Sequence, residues 1–132
     1  MPDRNPPFHK LTNFGMVQEF NRAMDVEHSA SFPNRELRWS LIYEEMDEVF
    51  TELFPGDGEK INRPRLAKEL ADLLYVVYGC ADALDIPIDE VFYDVHQSNM
   101  SKLGADGRPI RRKDGKVMKG PNYKPPDLSY VT

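Results

Sequence analysis

Two acidic pairs, each with its members three residues apart inside a helical apolar pattern, constrain this chain more than any other feature. Glu45 and Glu48 lie in the run Glu44-Glu45-Met46-Asp47-Glu48, and Glu69 and Asp72 in Glu69-Leu70-Ala71-Asp72. Residues three apart on a helix are surface neighbours that lean the same way. Two such helices face to face would therefore converge four carboxylates on one small volume, where they repel unless a cation sits among them. The second pair opens the stretch Leu70-Ala71-Asp72-Leu73-Leu74-Tyr75-Val76-Val77-Tyr78-Gly79-Cys80-Ala81, whose only formal charge is Asp72. A helix apolar on all sides is normally buried, and a carboxylate there has to be protonated, paired or bound to metal. Lys68, four positions before Asp72, offers an ordinary ion pair. That pair accounts for Asp72 alone and leaves Glu44, Glu45, Glu48 and Glu69 as a set that metal binding explains.

The chain reads as helical up to about residue 101 and irregular afterwards. A first helix is expected over about 12–25, with Phe14, Val17, Phe20 and Met24 at helical spacing and Thr12 or Asn13 as its cap. A second is expected over about 35–54, capped by Asn34 and stopped by Pro55-Gly56-Asp57-Gly58. Its core face would carry Trp39, Ile42, Met46, Val49, Phe50 and Leu53, beside a stripe of Leu41, Glu45, Glu48 and Glu52. A third, about 64–85, opens with Pro64 in its first turn and ends before Ile86-Pro87. A fourth, about 88–101, presents Val91, Phe92 and Val95 and delivers Asn99 and Lys102 at its end. No segment before residue 101 alternates as a half-buried strand does. The expected fold is all-α, a bundle of four main helices, within one domain spanning 1–132. Because the third helix is apolar nearly all round, a homo-oligomer, a dimer or a dimer of dimers, is expected to cover it.

Charge divides along the chain. Of its 17 basic and 22 acidic residues, Lys102, Arg108, Arg111, Arg112, Lys113, Lys116, Lys119 and Lys124 fall in residues 102–124 against only Asp106 and Asp114. The net charge of -5 thus hides an acidic helical part followed by a basic strap over about 102–132. Asp114-Gly115 between Ile110 and Val117 signals a hairpin turn. Turn glycines mixed with Ile110, Val117, Met118 and Tyr123 point to an ordered, anion-binding strap rather than a solvated tail. Few aromatics alternate with these charges as single-strand nucleic-acid binding would require, so no nucleic-acid partner is expected.

The leading segment Met1-Pro2-Asp3-Arg4-Asn5-Pro6-Pro7 lacks a secretory signal's apolar core. The longest apolar run is broken by Asp72 and Asp82, short of the ~20 residues a bilayer requires. A cytoplasmic protein with no membrane partner is expected. Cys80, the single cysteine, excludes an intrachain disulfide and a thiolate cluster and reads as a small core filler. His9, His28 and His96 lie outside both acidic motifs, although His96 could join from the fourth helix. The donors are therefore oxygens, which suit Mg²⁺ or Mn²⁺, two or more per site, rather than Zn²⁺. The absence of Glu-x-x-His pairs argues against a di-iron oxidoreductase.

Glu44-Glu45-x-x-Glu48, followed after 20 intervening residues by Glu69-x-x-Asp72, resembles the signature of the MazG-like all-α nucleoside triphosphate pyrophosphohydrolases. Further segments narrow the resemblance: Ala71-Asp72-Leu73-Leu74-Tyr75-Val76-Val77-Tyr78-Gly79, Val95-His96-Gln97-Ser98-Asn99-Met100-Ser101-Lys102-Leu103, and Asp114-Gly115-Lys116-Val117-Met118-Lys119-Gly120-Pro121-Asn122. Together they are similar to the single-domain phosphoribosyl-ATP pyrophosphohydrolase-like branch of bacteria and phages, over about residues 12–128. The resemblance implies hydrolysis between the α and β phosphates of a nucleotide. It would assign Glu45, Glu48, Glu69 and Asp72 to the divalent cations, with Glu44 and Glu45 as catalytic residues, Glu44 orienting or deprotonating the water or completing the cage. Asn99 and Lys102 match the Asn-x-x-Lys positions near the phosphates, and Lys116 and Lys119 would close over the departing pyrophosphate.

Base specificity is weakly written. Phe14, Gln18, Asn21 and Trp39 are candidates for a base pocket, against ordinary roles as core for Phe14 and Trp39 and as solvated side chains for Gln18 and Asn21. Some phage members of the resembled branch, the MazZ-like group, act on guanine nucleotides, which implies dGTP or GTP as the preferred substrate. Two alternatives stand beside it: a broad dNTP pool-cleaning pyrophosphatase, and a non-catalytic helical interaction module whose strap is a docking tail.

Overall fold

The structure, a computed structural model, describes residues 12–132. His9 and the reading of the leading segment lie outside them. The fold is all-α, with four helices and one two-stranded hairpin among the described residues: α1 (Asn13–Ala23), α2 (Phe32–Leu53), α3 (Arg63–Ala83), α4 (Ile88–Met100), β1 (Ile110–Arg111) and β2 (Val117–Met118). Two compact units divide between Ile86 and Pro87.

In the first unit, side-chain caps start the helices. Thr12 Oγ1 accepts from the Gly15 amide at 2.9 Å to start α1, and Asn62 Oδ1 accepts from the Arg65 amide at 3.1 Å to start α3, with Pro64 in its first turn. The second start departs from expectation. Helix α2 begins at Phe32, capped by the Ser31 hydroxyl, which accepts from the Asn34 amide at 3.3 Å. Asn34, expected as the cap, lies inside the first turn and is buried. Its Nδ2 donates to the carbonyls of Glu27 at 3.2 Å and Ser29 at 2.7 Å. It therefore fastens the α1–α2 loop, which the Glu27 carboxylate tightens further by accepting from Ser31 Oγ at 2.6 Å. Helix α3 ends at a left-handed Asp85 (φ 56°), ahead of Ile86-Pro87.

Helix α3 packs against both α1 and α2. On the α1 side, Val17 is buried, and the rings of Phe20 and Tyr75 meet edge to face at 5.4 Å while those of Phe14 and Tyr78 lie 6.0 Å apart. On the α2 side the expected core face is corrected. Of its six residues only Val49 is buried and Ile42 half-buried, whereas Trp39 is 58% exposed and Phe50 60%, and Met46 and Leu53 are also exposed. The covered stripe is Arg38, Ile42, Glu45, Val49 and Glu52. The reason is geometric: a single packing partner covers about one stripe of a helix, and α3 takes the stripe that carries the acids. The stretch around Asp72 is likewise less enclosed than its composition suggests, since Leu70, Leu74 and Val77 are exposed.

In the second unit the strap is ordered against its own helix. Ser98, buried in α4, donates through Oγ to the Lys124 carbonyl at 2.7 Å, and the Lys124 amide donates to Ser101 Oγ at 3.0 Å. The Gly120 amide donates to the Lys102 carbonyl at 2.8 Å. A Cβ on Gly120 would come within 2.3 Å of the Leu103 carbonyl oxygen, so glycine alone fits this approach. The expected hairpin is present, antiparallel, pairing Ile110 with Met118 and Arg111 with Val117 around a left-handed Gly115 (φ 88°). Among the described residues no helix is long and apolar enough to cross a membrane.

Candidate metal centre

Antiparallel packing of α2 on α3 brings Glu45 and Glu48 against Glu69, and one carboxylate oxygen from each lies within 4.8 Å of the other two. Glu45 and Glu69 are half-buried and Glu48 is exposed. Burial, and then the charges of Asp72 and Glu69, push the Glu45 carboxyl above the usual carboxylate range. Burial also raises Glu69, as does the closeness of the Glu48 carboxylate. Glu45 Oε2 and Glu69 Oε2 are shielded from solvent and have no hydrogen-bond partner. Orphaned, mutually repelling carboxylate oxygens at one point fit a hard divalent cation, for which oxygen donors and negative charge are the requirement.

Asp72 adjoins this triad without joining it. Its side chain is 36% exposed and accepts from Lys68 Nζ at 2.8 Å, so the i,i+4 ion pair forms. Lys68 also lies 3.7 Å from Glu69 Oε1, and Asp72 in turn holds the Lys68 ammonium above its ordinary pKa. Glu44 is exposed beside the triad, and Glu52 pairs with Arg65 at 3.2 Å one turn further along α2. Asn99, Lys102, Lys116 and Lys119 all belong to the second unit. Asn99 and Lys116 are exposed there, Lys102 is half-buried, and the Lys119 ammonium sits 4.7 Å from the centre of the Tyr123 ring.

The base-pocket candidates separate. Phe14 is core, as its ordinary role requires, and Gln18 is half-buried. Two expectations are corrected. Asn21, expected in solvent, is 3% exposed and donates through Nδ2 to Asp82 Oδ2 at 2.9 Å; Trp39, expected in the core, lies exposed against Tyr43 with ring centres 6.2 Å apart. The buried acid of α3 is thus Asp82 rather than Asp72. His28 completes its surroundings, with Nε2 2.9 Å from Asp82 Oδ2 and Nδ1 2.9 Å from the Val26 carbonyl. Both ring nitrogens face acceptors, which only the imidazolium satisfies, and the bond to Asp82 raises the His28 pKa. Histidine is thereby removed from the ligand set among the described residues of this unit. The available signal was an acid flanked by Ala81 and Ala83. Arg38 is a second residue that pattern reading missed, buried on the inner stripe of α2 with no partner for Nε among the described residues.

A family profile described as PRA-PH, phosphoribosyl-ATP pyrophosphohydrolase, matches residues 17–99. That span contains Glu44, Glu45, Glu48, Glu69, Asp72 and Asn99 and stops short of the strap lysines. No curated protein matches the chain.

Proposed function

The chain belongs to the phosphoribosyl-ATP pyrophosphohydrolase family, a nucleotide pyrophosphohydrolase acting on phosphoric anhydrides, and we propose that it cleaves the α–β bond of a nucleoside triphosphate with Mg²⁺ bound at the triad. A water oxygen bonds to the α phosphorus while the bond from that phosphorus to the bridging oxygen breaks. Pyrophosphate leaves with the electron pair, and a monophosphate remains.

The orphaned oxygens of Glu45 and Glu69 carry this reading, because nothing in the described chain satisfies them. Glu45, Glu48 and Glu69 would hold the cation, and Asp72 would join on release from Lys68. Bound there, Mg²⁺, or Mn²⁺ in its place, neutralises phosphate charge and acidifies water. Glu44, exposed beside the triad, is assigned to take the water's proton. Asn99 and Lys102, with Lys116 and Lys119, are assigned to the phosphates, where cationic donors stabilise charge collecting on the leaving group. The preferred substrate is dGTP or GTP.

The exposed apolar stripes of α2 and α3 support a homo-oligomer. Trp39, Tyr43 and Phe50 on α2 and Phe54 at its C-terminal cap form two exposed aromatic pairs, with ring centres 6.2 and 4.9 Å apart, and such a patch marks an interaction surface. Light scattering coupled to size-exclusion chromatography reads the assembly directly.

The deciding assay incubates the protein with NTPs, dNTPs and phosphoribosyl-ATP, with and without Mg²⁺, and separates the products. Monophosphate with pyrophosphate is expected, most rapidly from dGTP or GTP. Equal rates across bases would make it a broad pool-cleaning enzyme. Diphosphate with phosphate would refute the bond assignment, and no turnover of any nucleotide would favour the interaction module.

A further inference from the structure

Arg38 is 9% exposed, its Nε is shielded from solvent without a partner, and no carboxylate among the described residues pairs with it. A guanidinium presents five donors and no acceptor, and burying it unpaired costs several kcal/mol. Among the described residues nothing pairs with Nε, the one nitrogen of this guanidinium that is shielded and without a partner, so the fork can take an acceptor from outside.

Its position says which acceptor. Arg38 precedes Glu45 by seven residues, which places it on the same stripe of α2, two turns and about 10.5 Å along the axis. Side chains on a helix lean toward its N-terminus, so the guanidinium extends away from the triad. Cys80, whose thiol feels the Arg38 charge, lies eight residues beyond Asp72 on α3. Both helices thus set the carboxylates at one level and the guanidinium about two turns further on. A nucleotide whose phosphates are drawn to the triad reaches that second level with its base rather than with another phosphate.

We propose that Arg38 reads the base of the bound nucleotide, its fork donating to the adjacent acceptors O6 and N7 of guanine. Guanine alone offers that pair: adenine places an amino donor where O6 would be, cytosine presents an amino donor, and thymine and uracil present a single carbonyl. The inference rests on the triad as the seat of the triphosphate and adds the residue that sets base choice there.

Arg38→Gln removes the charge and the fork, while Arg38→Lys keeps the charge and removes the bidentate geometry. Circular dichroism establishes that both variants remain helical. Calorimetric titration with dGMP and with dAMP then measures base preference apart from hydrolysis, and kcat/KM for dGTP and dATP measures it in turnover. Both variants are expected to lower the guanine-over-adenine ratio about 10- to 100-fold, through affinity and KM more than kcat. An unchanged ratio with equal losses for both bases would overturn the inference and make Arg38 a phosphate or packing residue. So would a wild-type protein without guanine preference. Unchanged dGMP affinity with an altered oligomeric mass would instead assign the fork to a carboxylate of a second copy. If the wild-type protein hydrolysed no nucleotide, the proposed function would fall, while dGMP titration would still decide the role of Arg38.

Discussion

Replacing Glu45 with glutamine should make the metal-free protein more stable and deprive it of its response to cations. One oxygen each of Glu45, Glu48 and Glu69 lies within 4.8 Å of the others. Two unit charges 4.8 Å apart repel by about 0.9 kcal/mol in bulk water and by more in a less polar setting. Glu48 is exposed, so screening holds the value near the lower end, and removing the Glu45 charge should add about 1 kcal/mol. For a chain of this length that is a rise of about 4 °C in Tm. Cation binding favours the wild-type chain instead. At a hundredfold excess over Kd it should stabilise the wild-type chain by about 2.7 kcal/mol, whereas the variant, one ligand short, should respond little. The order of melting temperatures should therefore invert between chelator and saturating Mg²⁺. Differential scanning calorimetry in EDTA and across a Mg²⁺ titration reads both halves. A Glu45→Gln protein that melts below wild type without metal, yet shifts equally with it, would refute the account of the triad as a cation cage.

Three further outcomes follow from contacts elsewhere. Asn21→Ala deletes a buried bond to Asp82 and should cost about 1.5–3 kcal/mol in urea unfolding; a loss below about 0.5 kcal/mol would mean that His28 alone satisfies Asp82. The His28 pKa is raised on folding by its bond to Asp82, so the stability it contributes is fully present below its unfolded value near 6.5 and fades as pH rises through the folded one. Wild type should accordingly lose up to about 1 kcal/mol relative to His28→Gln between pH 6 and 8, and a difference that does not vary with pH would refute the imidazolium assignment. Gly120→Ala cannot keep its approach to the Leu103 carbonyl, so hydrogen exchange should accelerate in the strap while melting of α1–α3 is unchanged; protection as in wild type would show that the turn accommodates a side chain.

Helix starts and stops, the hairpin and the pairing of acids were legible in the chain itself because each depends on neighbours within a few residues. Thr12 caps from the spacing of one turn, Pro64 suits only a first turn, Gly115 supplies the left-handed residue of the hairpin, and Glu45 with Glu48 must share a face at spacing three. Asn34 misled because a polar residue after proline serves equally as a cap or as a loop clamp, and the choice falls to the carbonyls of Glu27 and Ser29 that the folded loop presents. Orientation belonged to the tertiary structure. Periodicity states which residues of α2 share a stripe but not which stripe meets α3. The more apolar stripe, with Trp39 and Phe50, stayed outside while the acidic one with Arg38 was covered. Whereas the Lys68–Asp72 pair, at spacing four on one helix, was legible locally, the same packing buried Asp82 beneath Asn21 and His28. Those outcomes turn on what stands opposite each side chain, 54 residues away along the chain in the case of His28 and Asp82, and such separations leave no local imprint in a sequence.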